Sequence, residues 1–168
     1  KKYKRGETTQ SIYEKTINGK KYSFNESGKM LSEWVTSETG LVATKATAGL
    51  TGKFKNFRSK EDGARYTKAW FRVTPSKYLN EEDSDDGDSV VHWYYADGKG
   101  GLYHNAIKSI NGKKYAFNEQ GEMIGGLVYL TFNGNEIASV EELDDTTKVD
   151  NYTKVGATVG TGKDGVYY

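Results

Sequence analysis

The chain contains an internal repeat, and this narrows its possible folds more than any other feature. The segment Ile17–Tyr22 recurs as Ile110–Tyr115, and the similarity continues as far as Val35 and Val128. Twelve of the nineteen aligned positions are identical, which chance does not produce. A unit this short cannot bury its own hydrophobic side chains, so we expect similar units to stack on one another.

Each copy of the repeat predicts a β-hairpin. Asn18-Gly19 and Asn111-Gly112 supply the positive φ angles that a type I′ turn needs. After each turn, rings alternate with a small residue, in Tyr22-Ser23-Phe24 and again in Tyr115-Ala116-Phe117, which places both rings on one strand face. A second turn containing Asn and Gly then ends each copy.

We predict one hairpin repeat array over residues 1–168, as a fragment of a longer protein. Clear copies cover about 16–35 and 109–128, and weaker copies cover about 62–70, 93–98 and 163–168. Insertions are expected at about 36–56, 79–89 and 132–156.

Two of these insertions carry local signals. The acidic stretch 79–89 is interpreted as a solvated loop. Within 132–156, Ser139-Val140-Glu141-Glu142 has the pattern of a capping box and predicts about two helical turns. Thr74-Pro75, outside the insertions, predicts another short helical turn.

The composition favours a core built from rings. The chain has 13 Tyr, 3 Trp and 6 Phe, with 20 Gly and a single Pro, which favours short strands and tight turns. The predicted fold class is therefore all-β, a solenoid of stacked β-hairpin repeats with short helical or irregular insertions.

Several functional classes are excluded by simple counts. A net charge of +1 provides no basic surface for nucleic acid, and no apolar run reaches the roughly 20 residues of a membrane span. The absence of Cys excludes disulfides and thiolate metal sites. The two histidines lie in no catalytic or metal-ligating pattern. We predict no enzyme activity, no cofactor and no metal.

The run Gly19–Met30 followed by Trp34 resembles the cell-wall-binding repeats of Gram-positive surface proteins, which include the choline-binding repeats. The copy Gly112–Gly126 is similar, with Leu127 where the pattern has Trp. The resemblance implies a secreted protein located at the cell wall or cell surface.

The choline-binding branch implies a cage of two Trp and a Tyr from adjacent hairpins around a quaternary ammonium. Lys21 and Lys114 stand where that pattern has a second Trp, so one complete cage at most is expected. Carried over by position, the ligand-binding residues are Trp70, Trp93 and Tyr95, with Tyr115 from the next hairpin and Trp34 as a further exposed ring.

Two interpretations of the rings remain open. They form the core of the array, or some of them, chiefly Trp34, Trp70 and Trp93, stack on sugars or hold a cationic group. The first makes the chain a structural spacer or adhesin segment with a protein partner. The second makes it a non-catalytic module that binds a cell-wall polysaccharide or teichoic acid, with choline as one possible group.

Overall fold

The computed structural model describes residues 3–5, 8–10, 13–25, 27–35, 56–77, 79–144 and 164–167. Within these ranges the protein is all-β and contains no helix, so none is long and apolar enough to cross a membrane. The strands form short antiparallel sheets of two or three strands. The chain divides into two compact units, Lys1–Tyr103 and His104–Tyr168.

The first unit contains four small sheets, in the orders β1-β2, β3-β4-β5, β6-β7 and β8-β9. Its strands are β1 Tyr3–Arg5, β2 Thr8–Gln10, β3 Tyr13–Ile17, β4 Lys20–Phe24, β5 Met30–Leu31, β6 Glu33–Val35, β7 Asn56–Arg58, β8 Ala69–Val73 and β9 His92–Ala96.

The second unit contains a hairpin of β10 and β11 and a sheet in the order β13-β12-β14. Its strands are β10 Ala106–Ile110, β11 Lys113–Phe117, β12 Val128–Asn133, β13 Glu136–Glu142 and β14 Gly165–Tyr167.

The two clear copies of the repeat form the predicted hairpins. Ile17 pairs with Lys20 around the first turn, and Ile110 pairs with Lys113 around the second. The turn residues Asn18 and Gly19 have φ angles of 49° and 77°, and Asn111 and Gly112 have 51° and 79°. Positive φ at both central positions is the type I′ geometry, which matches the twist of the strands that it joins.

The second turn of each copy is built by an Asx side chain. The Asn25 Oδ1 accepts hydrogen bonds from the backbone N–H groups of Ser27 and Lys29, at 3.0 and 2.8 Å. Asn118 accepts one from Glu122 in the same way. Asp97, which lies in the segment predicted as a weaker copy, accepts hydrogen bonds from the Lys99 and Gly101 N–H groups in the same arrangement.

Aromatic rings form the core of the first unit, as the composition predicts. Phe57 stacks on Phe71 with centroids 4.8 Å apart, and Phe71 stacks on Tyr94 at 5.4 Å. Leu79, Ala96 and Leu102 complete the buried cluster. In the second unit, one buried cluster is aliphatic and consists of Val128, Leu130 and Ile137, and the Phe117 ring is fully buried as well.

A buried arginine lies among the polar residues of the first unit. The Arg58 side chain is 1% exposed and donates to the Lys21 carbonyl at 2.8 Å, the Ser23 hydroxyl at 2.6 Å and the Glu14 carboxylate at 2.9 Å. Arg65 contacts the same carboxylate at 3.4 Å. A charge this deeply buried is tolerated because hydrogen bonds and an opposite charge surround it.

The helix predicted to begin at Ser139 is wrong, because this segment lies in β13. The Asn133-Gly134 dipeptide turns the chain back, with a φ of 63° at Gly134, and β13 then pairs along β12. Pairing buries Ile137 to 5% exposure against Leu130 and Val128, which outweighs a local capping pattern.

The other insertions are described only in part. The stretch 79–89 forms consecutive turns around Ser84, whose hydroxyl donates to the Glu81 carbonyl at 2.7 Å. After Thr74-Pro75 the backbone makes one turn, in which the Asn80 N–H donates to the Ser76 carbonyl. Residues 36–55 and 145–156 of the predicted insertions lie outside the described residues.

Candidate ligand-binding surface

Three of the predicted site residues lie together on one face of the β8-β9 hairpin. Trp70 pairs directly with Tyr95, and Arg72 pairs with Trp93. Alternate residues of a strand point to opposite faces, so all four side chains lie on the same face. Phe71 and Tyr94 point to the other face, into the ring core.

The rings of this face meet nearly at right angles. The centroids of Trp70 and Tyr95 are 5.2 Å apart with an interplanar angle of 74°, and those of Trp70 and Trp93 are 6.2 Å apart at 87°. Edge-to-face contacts of this kind are favourable for aromatic pairs. They hold the rings in a defined orientation relative to one another.

Tyr103 is a fourth ring of this surface that the sequence reasoning missed. It stacks on Tyr95 with centroids 5.1 Å apart, and its N–H donates to the Tyr95 carbonyl. The repeat carries a signal for this position, because Leu31 pairs in the same way with Ser23. We call Trp70, Trp93, Tyr95 and Tyr103 the aromatic patch.

The aromatic patch is partly open to solvent. Trp93 is 43% exposed, and the other three rings are half-buried. An exposed ring face can lie against the apolar face of a sugar or against a cation, the latter contributing about 0.5–2 kcal/mol depending on desolvation. The patch therefore has the chemistry of a ligand-binding surface.

Arg72 places a positive charge beside the aromatic patch. The side chain is exposed, and none of the described residues forms an ion pair with it. A guanidinium forms strong paired hydrogen bonds with phosphate or carboxylate, and it repels a cationic ligand. The charge at the patch thus favours an anionic group.

Trp34 lies elsewhere, among the core rings. Its ring is edge-on to Phe57, Phe71 and Tyr94, with centroid distances of 4.9, 5.9 and 5.2 Å. Its Nε1 donates to the Thr74 carbonyl at 2.9 Å. Because Phe71 and Tyr94 face away from the patch, the structure does not bring Trp34 together with Trp70 and Trp93.

Tyr115 belongs to the second unit. It lies on β11, opposite Lys108, and is half-buried. The two lysines at the repeat position of the second Trp differ in their surroundings: the Lys21 ammonium contacts the Glu14 carboxylate at 3.3 Å, and Lys114 is exposed.

Comparison with known proteins gives matches among solved structures. No family model and no curated protein matches the chain. The choline-binding domain of Spr1274 from Streptococcus pneumoniae is 24% identical, with a TM-score of 0.39, over 67% of this chain and 93% of that domain.

Two longer pneumococcal proteins also align with the chain. CbpJ is 17% identical, with a TM-score of 0.41, over 73% of this chain and 30% of its own. The modular autolysin LytC is 15% identical, with a TM-score of 0.39, over 79% of this chain and 28% of its own. The solved chains to which this protein is similar include a choline-binding domain. Choline-binding repeats are among the repeats that its sequence resembles.

Proposed function

We propose that this chain is a non-catalytic binding module that attaches a longer surface protein to a polymer of the Gram-positive cell wall. The observation that carries the proposal is the aromatic patch, in which Trp93 is 43% exposed. Burying a large apolar side chain stabilises a fold, so a ring left open but held by its neighbours supports a role in binding.

The proposed ligand is a polymer that presents both sugar faces and phosphate, as a teichoic acid does. The rings of Trp70, Trp93 and Tyr95 would stack on sugar or polyol units. Arg72 would pair with a phosphate oxygen on the same face of the hairpin. A choline group is the less favoured occupant, because the Arg72 charge repels a quaternary ammonium.

The experiment is retention of the chain on purified Gram-positive cell walls, with free choline as competitor. We expect Trp93→Ala to lose about tenfold in affinity, which corresponds to about 1.4 kcal/mol. Ile17→Ala is the control, because Ile17 is 47% exposed and lies outside the patch. Retention of Trp93→Ala equal to that of the control would contradict the assignment of the patch.

Arg72→Ala separates the two ligand chemistries. For a phosphate-bearing polymer we expect weaker retention and a smaller dependence on salt, since one charge contact is lost. If choline is the ligand, choline releases the chain from the wall and Arg72→Ala binds as well as or better than the wild type.

The alternative function is a structural spacer or adhesin segment that binds a protein. The ring core supports it, because Phe57, Phe71 and Tyr94 are buried and Trp34 packs against them. A wild-type chain that cell walls do not retain, and whose tryptophan fluorescence no wall polymer shifts, would favour this alternative.

A further inference from the structure

The second unit has a polar groove that is separate from the aromatic patch. It has a volume of about 490 Å³. Its walls come from Asn105, from the turn after β11 and from the β12-β13 hairpin. We call this the polar groove.

The side chains that line the polar groove are mostly amides and carboxylates. Asn105, Gln120 and Asn133 contribute amides, and Glu119 and Glu136 contribute carboxylates. None of these five side chains has a hydrogen bond or ion pair with another described residue. Their donors and acceptors are therefore available to a ligand from the solvent.

The backbone that carries these groups is well tied down. The Asn105 N–H donates to the Asn118 carbonyl at 3.0 Å, and the Asn105 carbonyl accepts from the Ile137 N–H at 2.7 Å. The Asn118 amide bonds to the backbone N–H and the carboxylate of Glu122, both at 2.9 Å. A site held in this way loses less freedom when a ligand binds.

The mixture of groups matches a sugar. Amides donate and accept, as sugar hydroxyl groups do, and Val140 adds a wall that is apolar and 37% exposed. The charge of the groove narrows the class of ligand further. Glu119 and Glu136 give the groove a formal charge of −2, and neither Lys nor Arg is among the described residues that line it. Phosphate is therefore repelled, and a protonated amine is attracted.

We propose that the polar groove binds a phosphate-free sugar unit of a glycan and prefers a unit with a free amine. This inference rests on the proposed function only in assuming that the chain binds wall polymers. The groove would bind a cationic group, whereas the aromatic patch would bind an anionic one.

The test is calorimetric titration of the full chain with a glucosamine tetrasaccharide, its N-acetylated form and a poly(glycerol phosphate). We expect the free-amine tetrasaccharide to bind most tightly, the N-acetylated form more weakly and the phosphate polymer not at the groove. The double variant Glu119→Gln, Glu136→Gln should lose about tenfold in affinity for the free amine, with the N-acetylated form little changed. Gln120→Ala should weaken both sugars.

The controls separate this proposal from that of the aromatic patch. Glu61→Gln removes an exposed carboxylate of the first unit and should change neither sugar affinity. The double variant Glu119→Gln, Glu136→Gln should keep the wild-type affinity for poly(glycerol phosphate), because that polymer carries the phosphate expected at the aromatic patch and not at the groove. Equal binding of the free amine by the wild type and the double variant, or no binding by the wild type, would overturn the proposal without affecting the patch.

Discussion

At the scale of single residues, Trp34 and Trp93 differ in how much of the ring is exposed to solvent. Trp34 contacts three core rings and donates a hydrogen bond to a backbone carbonyl. Trp93 contacts a single ring among the described residues, that of Trp70, and is 43% exposed. The same residue type thus supports the core at one position and is open to a ligand at the other.

The two positions should respond differently to truncation. We expect Trp34→Ala to lower the free energy of unfolding by roughly 3 kcal/mol, because it leaves a cavity among the core rings. Trp93→Ala should lower it by less than about 1 kcal/mol, as is usual at an exposed site. Chemical denaturation of the two variants measures both values, and similar losses would contradict this division of roles.

Sequence reasoning groups Trp70, Trp93 and Tyr95, which lie on one face of the β8-β9 hairpin, but it does not reach Tyr103. That grouping follows from the resemblance to choline-binding repeats, in which rings of adjacent hairpins form a cage. The stacking of Tyr103 on Tyr95 depends on the segment after the Asp97 turn. The two clear copies of the repeat have Leu31 and Ile124 at the position of Tyr103, so the repeat does not predict a ring there.

Turn chemistry governs the structure at the scale of the hairpin. The Asn-Gly turns and the Asx turns recur because each is specified by two to five neighbouring residues. The strand β13 shows the limit of such local signals. Ser139 to Glu142 fits a helix cap, but Asn133-Gly134 turns the chain so that this segment pairs with β12.

A matched pair of glycines tests the hairpin turn. Neither Gly112 nor Gly125 has an atom within 4 Å of an added Cβ, but only Gly112 has a positive φ, of 79°. We expect Gly112→Ala to lower the free energy of unfolding by about 1–2 kcal/mol, the cost of the left-handed conformation for an L-residue. Gly125→Ala should be neutral or slightly stabilising. Thermal unfolding of both variants decides the matter, and equal shifts would argue against a strained turn.

At the scale of the whole molecule, charge makes the stability depend on pH. Burial acts to raise the pKa of Glu14, but the hydrogen bond from Arg58 and the charges of Arg65 and Arg58 outweigh it and lower the pKa below its ordinary value of 4.5. A lowered pKa stabilises the folded state fully above the unfolded value. That stabilisation is lost as the pH falls through the folded pKa.

The variant Glu14→Gln should remove this dependence. We expect it to lower the free energy of unfolding at pH 7 by roughly 3 kcal/mol, because Arg58 then lies buried without its carboxylate partner. Below pH 4.5 the wild type should approach the variant. The pKa of Asp62 is also lowered, first by the hydrogen bond from the Ala64 N–H and then by Lys20. The effect of Asp62 on stability is the same in the wild type and in the variant. Denaturation curves from pH 3 to pH 7 that stay parallel would contradict the role of Glu14.

The repeat, the hairpin turns and the all-β class follow from the sequence alone, because each depends on residues that are close along the chain. The inward or outward direction of a ring does not, since it depends on which distant strands pack beside it. Phe71 and Tyr94 cover Trp34, whereas nothing in the first unit's ring core covers Trp93. The polar groove likewise arises only when the turn at Asn118 and the β12-β13 hairpin come together in the second unit.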